Sequence, residues 1–492
     1  MPPDASHDAP TSPAHVPSST EALLSAPGAA VRDRVTRLLA RRAETFPDMD
    51  LAPLSEQGLE PRDRALAHAI VDGAGRHWLT LAYLLDRTLK TPFDSIEPKL
   101  RAVLMCGSTQ LALLDRVPAH ACIDLAVEWA KVRIRPGAGG LVNAVLRRMS
   151  ELTRCGPGES RVIRPRWSSR RDEIPLSDGT ALALAHAVLP DGPELLSIAA
   201  SMPQWLIARW TDQFGVEEAR RLVAHGLVQA PLILNTTFAS TETMPAEWRL
   251  TPHEAPGHMV VAGARDRLAE FLGSRSDLWA QDPTSSKAAS LASHLTPSLI
   301  IDLCAGQGTK TRQLARMFPR STIVACEPNE GRLRTLRHAM AAHPAVRVIE
   351  PREAHRTLAG KADLVVLDVP CSNTGVLARR IEARYRDSQS QLQRLVAVQR
   401  EIIRESVKLL GPGGHILYST CSIEPEENER QASWATGACP LKIVARETTV
   451  PHGEPGSAPE HYRDGGFAAL LALTGQDSRP RDGRTLAPTP TP

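Results

Sequence analysis

The chain contains no Cys-x-x-Cys pair, no cysteine–histidine cluster at metal-ligand spacing, and no run of 18 apolar residues. These absences speak against a zinc module, a disulfide framework and a membrane-spanning helix. Neither a metal nor a membrane is expected. Charge of one sign is also missing, since 58 Lys+Arg stand against 55 Asp+Glu, for a formal +3. Any basic surface must therefore be local. The N-terminus, "MPPDASHDAPTSPAHVPSST", lacks the basic stretch and apolar core of a secretory signal. A soluble, cytoplasmic monomer is the expectation, with its eight cysteines, Cys106, Cys122, Cys155, Cys304, Cys326, Cys371, Cys421 and Cys439, as free thiols.

What is present separates into regions, as a chain of 492 residues should. Residues 1–30, rich in Pro, Ser and Ala, offer too little apolar surface to offset backbone ordering, and read as a disordered tail. Residues 31–153 space apolar residues by three and four in "VRDRVTRLLARRAE", "PRDRALAHAIVDGAGRHWLTLAYLLDRTL", "IEPKLRAVLMCGSTQLALL", "PAHACIDLAVEWAKV" and "GLVNAVLRRMSEL". That pattern predicts an all-α bundle. Residues 154–190 are turn-rich and read as a linker. There Arg161, Arg164, Arg166, Arg170 and Arg171 surround Trp167, a mixture that suits phosphates and bases, although a solvated linker with one partly buried Trp is the favoured reading. Residues 191–275 read as a small α+β connector, with strands at "APLILNTTF" and "GHMVVAG". From 276 to 473 continuous apolar strands alternate with helices, which predicts a doubly wound α/β, Rossmann-like domain with ligands at the carboxyl ends of its strands. Residues 474–492 read as a second disordered tail.

The first strand of that domain runs into "IDLCAGQGTKT". Asp302 ends the strand, and Gly306 and Gly308 allow backbone N–H groups to approach a ligand at a helix start. Strand two ends in "ACEP", where Glu327 can accept hydrogen bonds from both hydroxyls of a ribose. A nucleoside cofactor follows, with NAD and S-adenosylmethionine both open at this point. Strand four ends in "VLDVPCSNTG" and strand five in "YSTCS". This brings Asp368, Cys371, Thr420 and Cys421 to one edge of the sheet. A lone cysteine is usually a small buried hydrophobe, but two at neighbouring strand ends suit attack on an electron-poor ring carbon. Thiol addition to C6 of a pyrimidine makes C5 nucleophilic, able to take a methyl group from a sulfonium. That chemistry favours S-adenosylmethionine over NAD. Asp368 can hold the exocyclic amine and N3 of a cytosine.

At these residues the sequence resembles the RNA cytosine-5 methyltransferases, specifically the RsmB (Sun, Fmu) type that acts on bacterial 16S rRNA. "DVPCSNTGVLARR" and "YSTCSIEPEENE" match its two cysteine motifs, "QDPTSS" the segment before its cofactor domain, and "RDGGFAALLAL" its closing strand. The helical region, with "RVPAHACIDLAVEWAK" and "GLVNAVLRRM", resembles its NusB-like RNA-binding domain. The resemblance implies that Cys421 bonds to C6, that Cys371 assists release of the methylated base, and that Asp368 lines both the cofactor and base pockets. It implies S-adenosylmethionine held by Cys304, Ala305, Gly306, Gln307, Gly308, Thr309 and Lys310, with Glu327 on the ribose, and RNA, 16S rRNA, as partner. The acidic run Glu424, Glu426, Glu427 and Asn428 reads as a cap and helix start.

Three positions depart from the family pattern. Its cofactor loop reads Cys-Ala-Ala-Pro-Gly-Gly-Lys, whereas "CAGQGTK" has Gln307 for Pro and Thr309 for Gly; a left-handed Thr309 would cost roughly 1 kcal/mol or more. After strand three the family's Asp, which meets the adenine amino group, is missing, leaving Glu353 of "EPREAH" as the candidate. Ile233 of "LILN" replaces an arginine. Arg379, Arg380, Arg384 and Arg386, with Tyr385, form a cation-plus-aromatic set suited to flipped bases, a solvated helix face being an equally good reading for any one of the arginines. The rival readings are a methyltransferase of tRNA or another rRNA site, a catalytically weakened ribosome-assembly factor, and an NAD-linked oxidoreductase, which leaves the paired thiols unexplained.

Overall fold

The computed structural model describes residues 28–475 apart from 50–51, 240–243, 246–247, 263–267 and 387–388. Most of the two tails, 1–30 and 474–492, lies outside the described residues. The chain divides into two compact units, Met1–Ile174 with Ala181–Ser201, and Pro175–Thr180 with Met202–Pro492.

The first unit is a helical bundle: α1 (Ala29–Thr45), α2 (Pro61–Arg76), α3 (Trp78–Thr88), α4 (Pro98–Leu113), α5 (Ala119–Arg133) and α6 (Ala138–Thr153). The stretch read as one long helix from Pro61 breaks at His77 (φ −118°), where α2 ends and α3 begins. The α4 segment is apolar on every side and becomes the central helix, buried continuously from Ala102 to Ala112. Gly107 lets it pack tightly on α6, since a Cβ there would lie 2.6 Å from Leu146. On the rim, Asp33 accepts from Trp129 Nε1 (2.9 Å) and Arg133 Nε (3.1 Å), tying α1 to α5.

The expected linker is structured. Three short strands, β1 (Val162–Arg164), β2 (Glu173–Pro175) and β3 (Ala181–Ala183), form a sheet in the order β1-β3-β2, followed by α7 (Pro193–Ala199). Ion pairs explain how so polar a segment folds. Arg164 reaches Asp172 (2.6 Å) and Glu173 (2.7 Å), Arg171 reaches Asp191 (3.1 Å), and Arg161 pairs with Asp115. These arginines have carboxylate partners within the unit, which favours the structural reading of the cluster.

The second unit begins with α8 (Gln204–Phe214), α9 (Val216–Leu227) and an antiparallel sheet in the order β5-β6-β4-β7, formed by β4 (Leu232–Asn235), β5 (Arg249–Pro252), β6 (His258–Ala262) and β7 (Trp279–Ala280). After the short α10 (Leu268–Gly273), helix α11 (Pro283–Ser290) is capped by Asp282, which accepts from Thr284 N at 2.8 Å. A seven-stranded sheet follows, from β8 (Leu299–Asp302), β9 (Thr322–Cys326), β10 (Val346–Ile349), β11 (Ala362–Asp368), β12 (Leu410–Thr420), β13 (Leu441–Thr449) and β14 (Gly466–Leu473). Its order is β10-β9-β8-β11-β12-β14-β13, parallel except for β14, which runs antiparallel to both neighbours.

Both faces of the sheet are covered, which is why its strands read as unbroken apolar runs. Ile301, Val324, Val365 and Ile416 share one core with Ile403 and Ala435; their neighbours Ile300, Ile323, Leu364 and Leu417 share the other with Leu314 and Phe318. The covering helices are α12 (Thr309–Met317), α13 (Glu330–Met340), α14 (Pro351–Leu358), α15 (Gln389–Val407) and α16 (Glu429–Ala438). Because the chain builds outward from β8 to β10 and then crosses back to β11, the switch point lies between β8 and β11. A crevice opens there at the carboxyl ends of the strands.

Candidate active site

The ends of β11 and β12 place the two thiols together. Asp368 and Ser419 are register partners on adjacent parallel strands, and a few residues further on the Sγ atoms of Cys371 and Cys421 approach to 3.2 Å. The loop carrying Cys371 is fixed from several sides. Glu427, fully buried, accepts from Ser372 N (3.0 Å), Ser372 Oγ (2.5 Å) and Gln399 Nε2 (3.0 Å), while Gln399 also donates to Pro370 O (3.0 Å). Tyr418 Oη donates to Glu427 O at 2.6 Å. The hydrogen bond with Cys421, together with burial, pushes the Cys371 thiol well above its usual range.

The acidic run after Cys421 is structural, but not as the cap expected. Asn428 makes no capping bond to α16; its side chain accepts from Thr420 Oγ1 (2.6 Å) and donates to Ser422 O (2.9 Å). Glu424 accepts from Trp210 Nε1 at 3.1 Å and pairs with Arg209, which also reaches Glu426 at 2.6 Å. The carboxylates thus pin the Cys421 loop to α8 and to the Cys371 loop.

Asp368 accepts from Ser419 Oγ (3.0 Å) and forms an ion pair with Lys310 Nζ (2.8 Å). Burial alone would discharge Lys310, but Asp368 outweighs it and raises the ammonium above its ordinary value. Below the loop, Asp302 accepts from Thr311 Oγ1 at 2.6 Å, and burial raises its carboxyl to about 6. The loop itself settles the question of Thr309. Positive φ falls on Gly306 (57°) and Gly308 (88°), whereas Thr309 opens α12 in helical conformation, so the expected strain is absent. Gly308 also packs inward, since a Cβ there would lie 2.8 Å from Leu336 and Met340.

A cleft of about 900 Å³ runs along this edge, lined by Cys304, Ala305, Gly306, Gln307, Thr309, Lys310, Glu327 and Asp368, with Ile233 and Arg379 on its wall. A smaller pocket of about 180 Å³ holds Cys421 and shares Asp282, Ser285, Lys310, Asp368 and Asp464 with the cleft. Asp368 and Lys310 therefore stand where the two cavities meet. Glu327 Oε1 accepts from Asn329 N (2.8 Å) and meets Arg332 (3.0 Å); among the described residues Oε2 has no protein partner. Glu353 is not brought in. It lies on α14, pairs with Arg347 and is absent from the lining, whereas Pro351 and His355 of the same helix are present. Glu353, the adenine-side candidate, thus sits on a different face of this short helix from the one that lines the cleft.

The expected cation-plus-aromatic set is divided: Arg379 and Arg380 line the cleft, whereas Arg384 and Tyr385 turn inward. Arg384 is fully buried and donates to Gly226 O (2.5 Å) and Leu377 O (3.2 Å), Tyr385 is buried, and Arg379 joins Asp464 (2.7 Å) to Asp282 (3.3 Å). Asp464 was missed by the sequence reading, although "YRDGGFAAL" holds the one carboxylate beside the closing strand's glycines. Burial and Asp464 raise the Asp282 carboxyl, with Arg379 opposing. Asn373, whose amide touches both cysteines, was missed too; its position inside the "PCSNTG" loop was its only signal.

Among the described residues no helix is long and apolar enough to cross a membrane, and no group of three or more His, Cys, Asp or Glu could hold a metal ion. A seven-stranded sheet with this order, a glycine-turned loop at its switch point and an acidic end to β9 define a Rossmann-like methyltransferase domain, in a chain that also carries a helical domain. Residues 289–440 match the family 16S rRNA methyltransferase RsmB/F, and residues 32–151 match the NusB family. The methyltransferase domain is thus similar to the RsmB/F family and the helical domain to the NusB family. The ribosomal RNA small subunit methyltransferase B of Xanthomonas campestris pv. campestris is 27% identical over 386 residues, covering 76% of this chain and 79% of its own. The protein of the same name from Vibrio cholerae serotype O1 is 26% identical over 438 residues, covering 85% and 92%. Among solved structures, PH0851 has the same fold, with a TM-score of 0.65 at 20% identity, covering 91% of this chain and 99% of its own.

Proposed function

We propose that this protein methylates C5 of a cytosine in 16S rRNA, using S-adenosylmethionine, through a covalent bond between Cys421 and C6. The pair of sulfurs 3.2 Å apart at the switch-point cleft carries the reading. The relatives named above are small-subunit rRNA methyltransferases, which supports the substrate.

The cleft fits the cofactor. Gly306 and Gly308 turn the backbone without a side chain in the way, Glu327 keeps one carboxylate oxygen for a ribose hydroxyl, and the loop ends at Lys310. Bound there, S-adenosylmethionine supplies an electrophilic methyl carbon. The rest falls to the chain. Cys421 adds as thiolate to C6, and Asp368, at the junction of cleft and pocket, accepts from the exocyclic amine and from N3 in its protonated form, favouring the addition. The electron pair gained at C5 then takes the methyl group. Release requires loss of the C5 proton, return of the C5=C6 double bond and departure of Cys421 as thiolate. Cys371, held as a thiol, faces the departing sulfur, hands it a proton and, as thiolate, takes up the proton lost from C5.

The test is to incubate the protein with undermethylated small-subunit rRNA and labelled cofactor, then map 5-methylcytosine; transfer RNA serves as the competing substrate. Label should appear in the small-subunit RNA and fall by a thousandfold or more in Cys421→Ala. No transfer to any of these RNAs would end the enzymatic reading. Cys371→Ala should accumulate a protein–RNA adduct on a denaturing gel, and its absence with methylation intact would contradict the release role.

A further inference from the structure

We infer that Asn373 is a positioning residue that orients the Cys421 thiol, an inference resting on Cys421 being the nucleophile. Its amide touches both cysteines: Nδ2 donates to Cys371 O at 2.8 Å, and Oδ1 accepts from Cys421 Sγ at 3.2 Å. A backbone carbonyl can only accept, so Nδ2 must face Cys371 and the oxygen must face Cys421. The backbone of Asn373 is left-handed (φ 63°, ψ 21°), a conformation rare outside glycine. The loop is stitched to the nucleophile's strand by Gly375 N to Cys421 O (3.0 Å) and to the closing strand by Gly465 N to Gly375 O (2.7 Å).

Two contacts compete at the Cys421 sulfur. An acceptor such as Oδ1 favours the neutral thiol, whereas a donor favours the thiolate. With the Cys421 proton committed to Asn373, the 3.2 Å sulfur–sulfur contact is left for the Cys371 proton. The chain of bonds then runs from Cys371 to Cys421 to Asn373. When Cys421 loses its proton, the Cys371 donor remains to stabilise the charge. The other ionisable groups around Cys421 are Asp368 from β11, Lys310 from α12, Asp282 and Lys287 at α11, Glu447 on β13 and Asp464 before β14. Substitution at Asn373 leaves all of them in place.

The experiment follows the rate of iodoacetamide alkylation of Cys421 at one fixed pH, read by peptide mass spectrometry on the full chain, alongside single-turnover methyl transfer and its kcat and KM. Asn373→Gly keeps the left-handed backbone and removes the amide. Its methyl transfer should fall about tenfold in kcat with the KM for RNA unchanged, and its Cys421 alkylation rate should change severalfold. Asn373→Asp puts a negative charge beside the sulfur and should slow alkylation. A glycine variant with the parent's alkylation rate and full methyl transfer would leave Asn373 a purely backbone role and overturn the inference, as would an aspartate variant alkylated as fast as the parent or faster. Failure of the underlying reading is separate, because Cys421→Ala would then retain methyl transfer whatever the alkylation rates show.

Discussion

The thiol side and the nucleoside side of the cleft are built by different means. Around Cys371 and Cys421, side chains do the fixing: Glu427, Gln399, Ser372, Tyr418, Asn428 and Asn373 form a continuous hydrogen-bonded network within a few residues of the sulfurs. Around the glycine turn, backbone does it, with positive φ at Gly306 and Gly308 and few side-chain constraints above them. The difference explains where the sequence departs from its family pattern. A loop shaped by two glycines tolerates Gln307 and a helical Thr309, whereas a network of buried polar groups leaves unsatisfied donors if one member changes.

Four substitutions sharpen this contrast. Glu327→Ala should produce the largest effect, weakening S-adenosylmethionine binding about 10- to 100-fold by titration calorimetry, because a charged acceptor for the ribose is lost. An unchanged affinity would place the ribose elsewhere. Asp302→Asn comes next. Its folded carboxyl, raised to about 6, contributes stability when protonated at low pH and loses it as pH rises through that value. The variant should therefore gain on the parent by up to ~2 kcal/mol between pH 5 and pH 8 in thermal unfolding, and a difference independent of pH would contradict the assignment. Gly308→Ala places a Cβ 2.8 Å from Leu336 and Met340 at φ 88°, and should lower stability by about 1–2 kcal/mol, measured by denaturant unfolding. Glu353→Ala should matter least, changing cofactor affinity less than about twofold. A tenfold loss there would restore Glu353 to the adenine side and break the contrast.

The parallel sheet was legible because strands buried on both faces carry continuous apolar runs, and "SLIIDLCAG" or "ADLVVLDVP" can satisfy little else. Strand β13 was not, since "LKIVARETT" interleaves charges with its apolar residues and is half exposed at the sheet's edge. The β1–β3 sheet was illegible for another reason. Its strands are three residues long, and what holds the segment is the pairing of Arg164 with Asp172 and Glu173, a matter of geometry rather than pattern. The arginines after Cys371 show the same limit. Sequence shows their charge, but not that Arg384 turns inward to two carbonyls or that Arg379 is drawn between Asp282 and Asp464.

By itself, then, the sequence determined the alternating α/β pattern, the glycine turn and the two cysteines at strand ends, because periodicity and strand polarity are local properties of the chain. Only the tertiary structure decided that the sulfurs touch, that Glu353 faces away, and that Asn373, Asp464 and Glu427 crowd around the site. Those residues are joined across as many as 182 positions by register between strands and by the burial of polar groups, which no local pattern records.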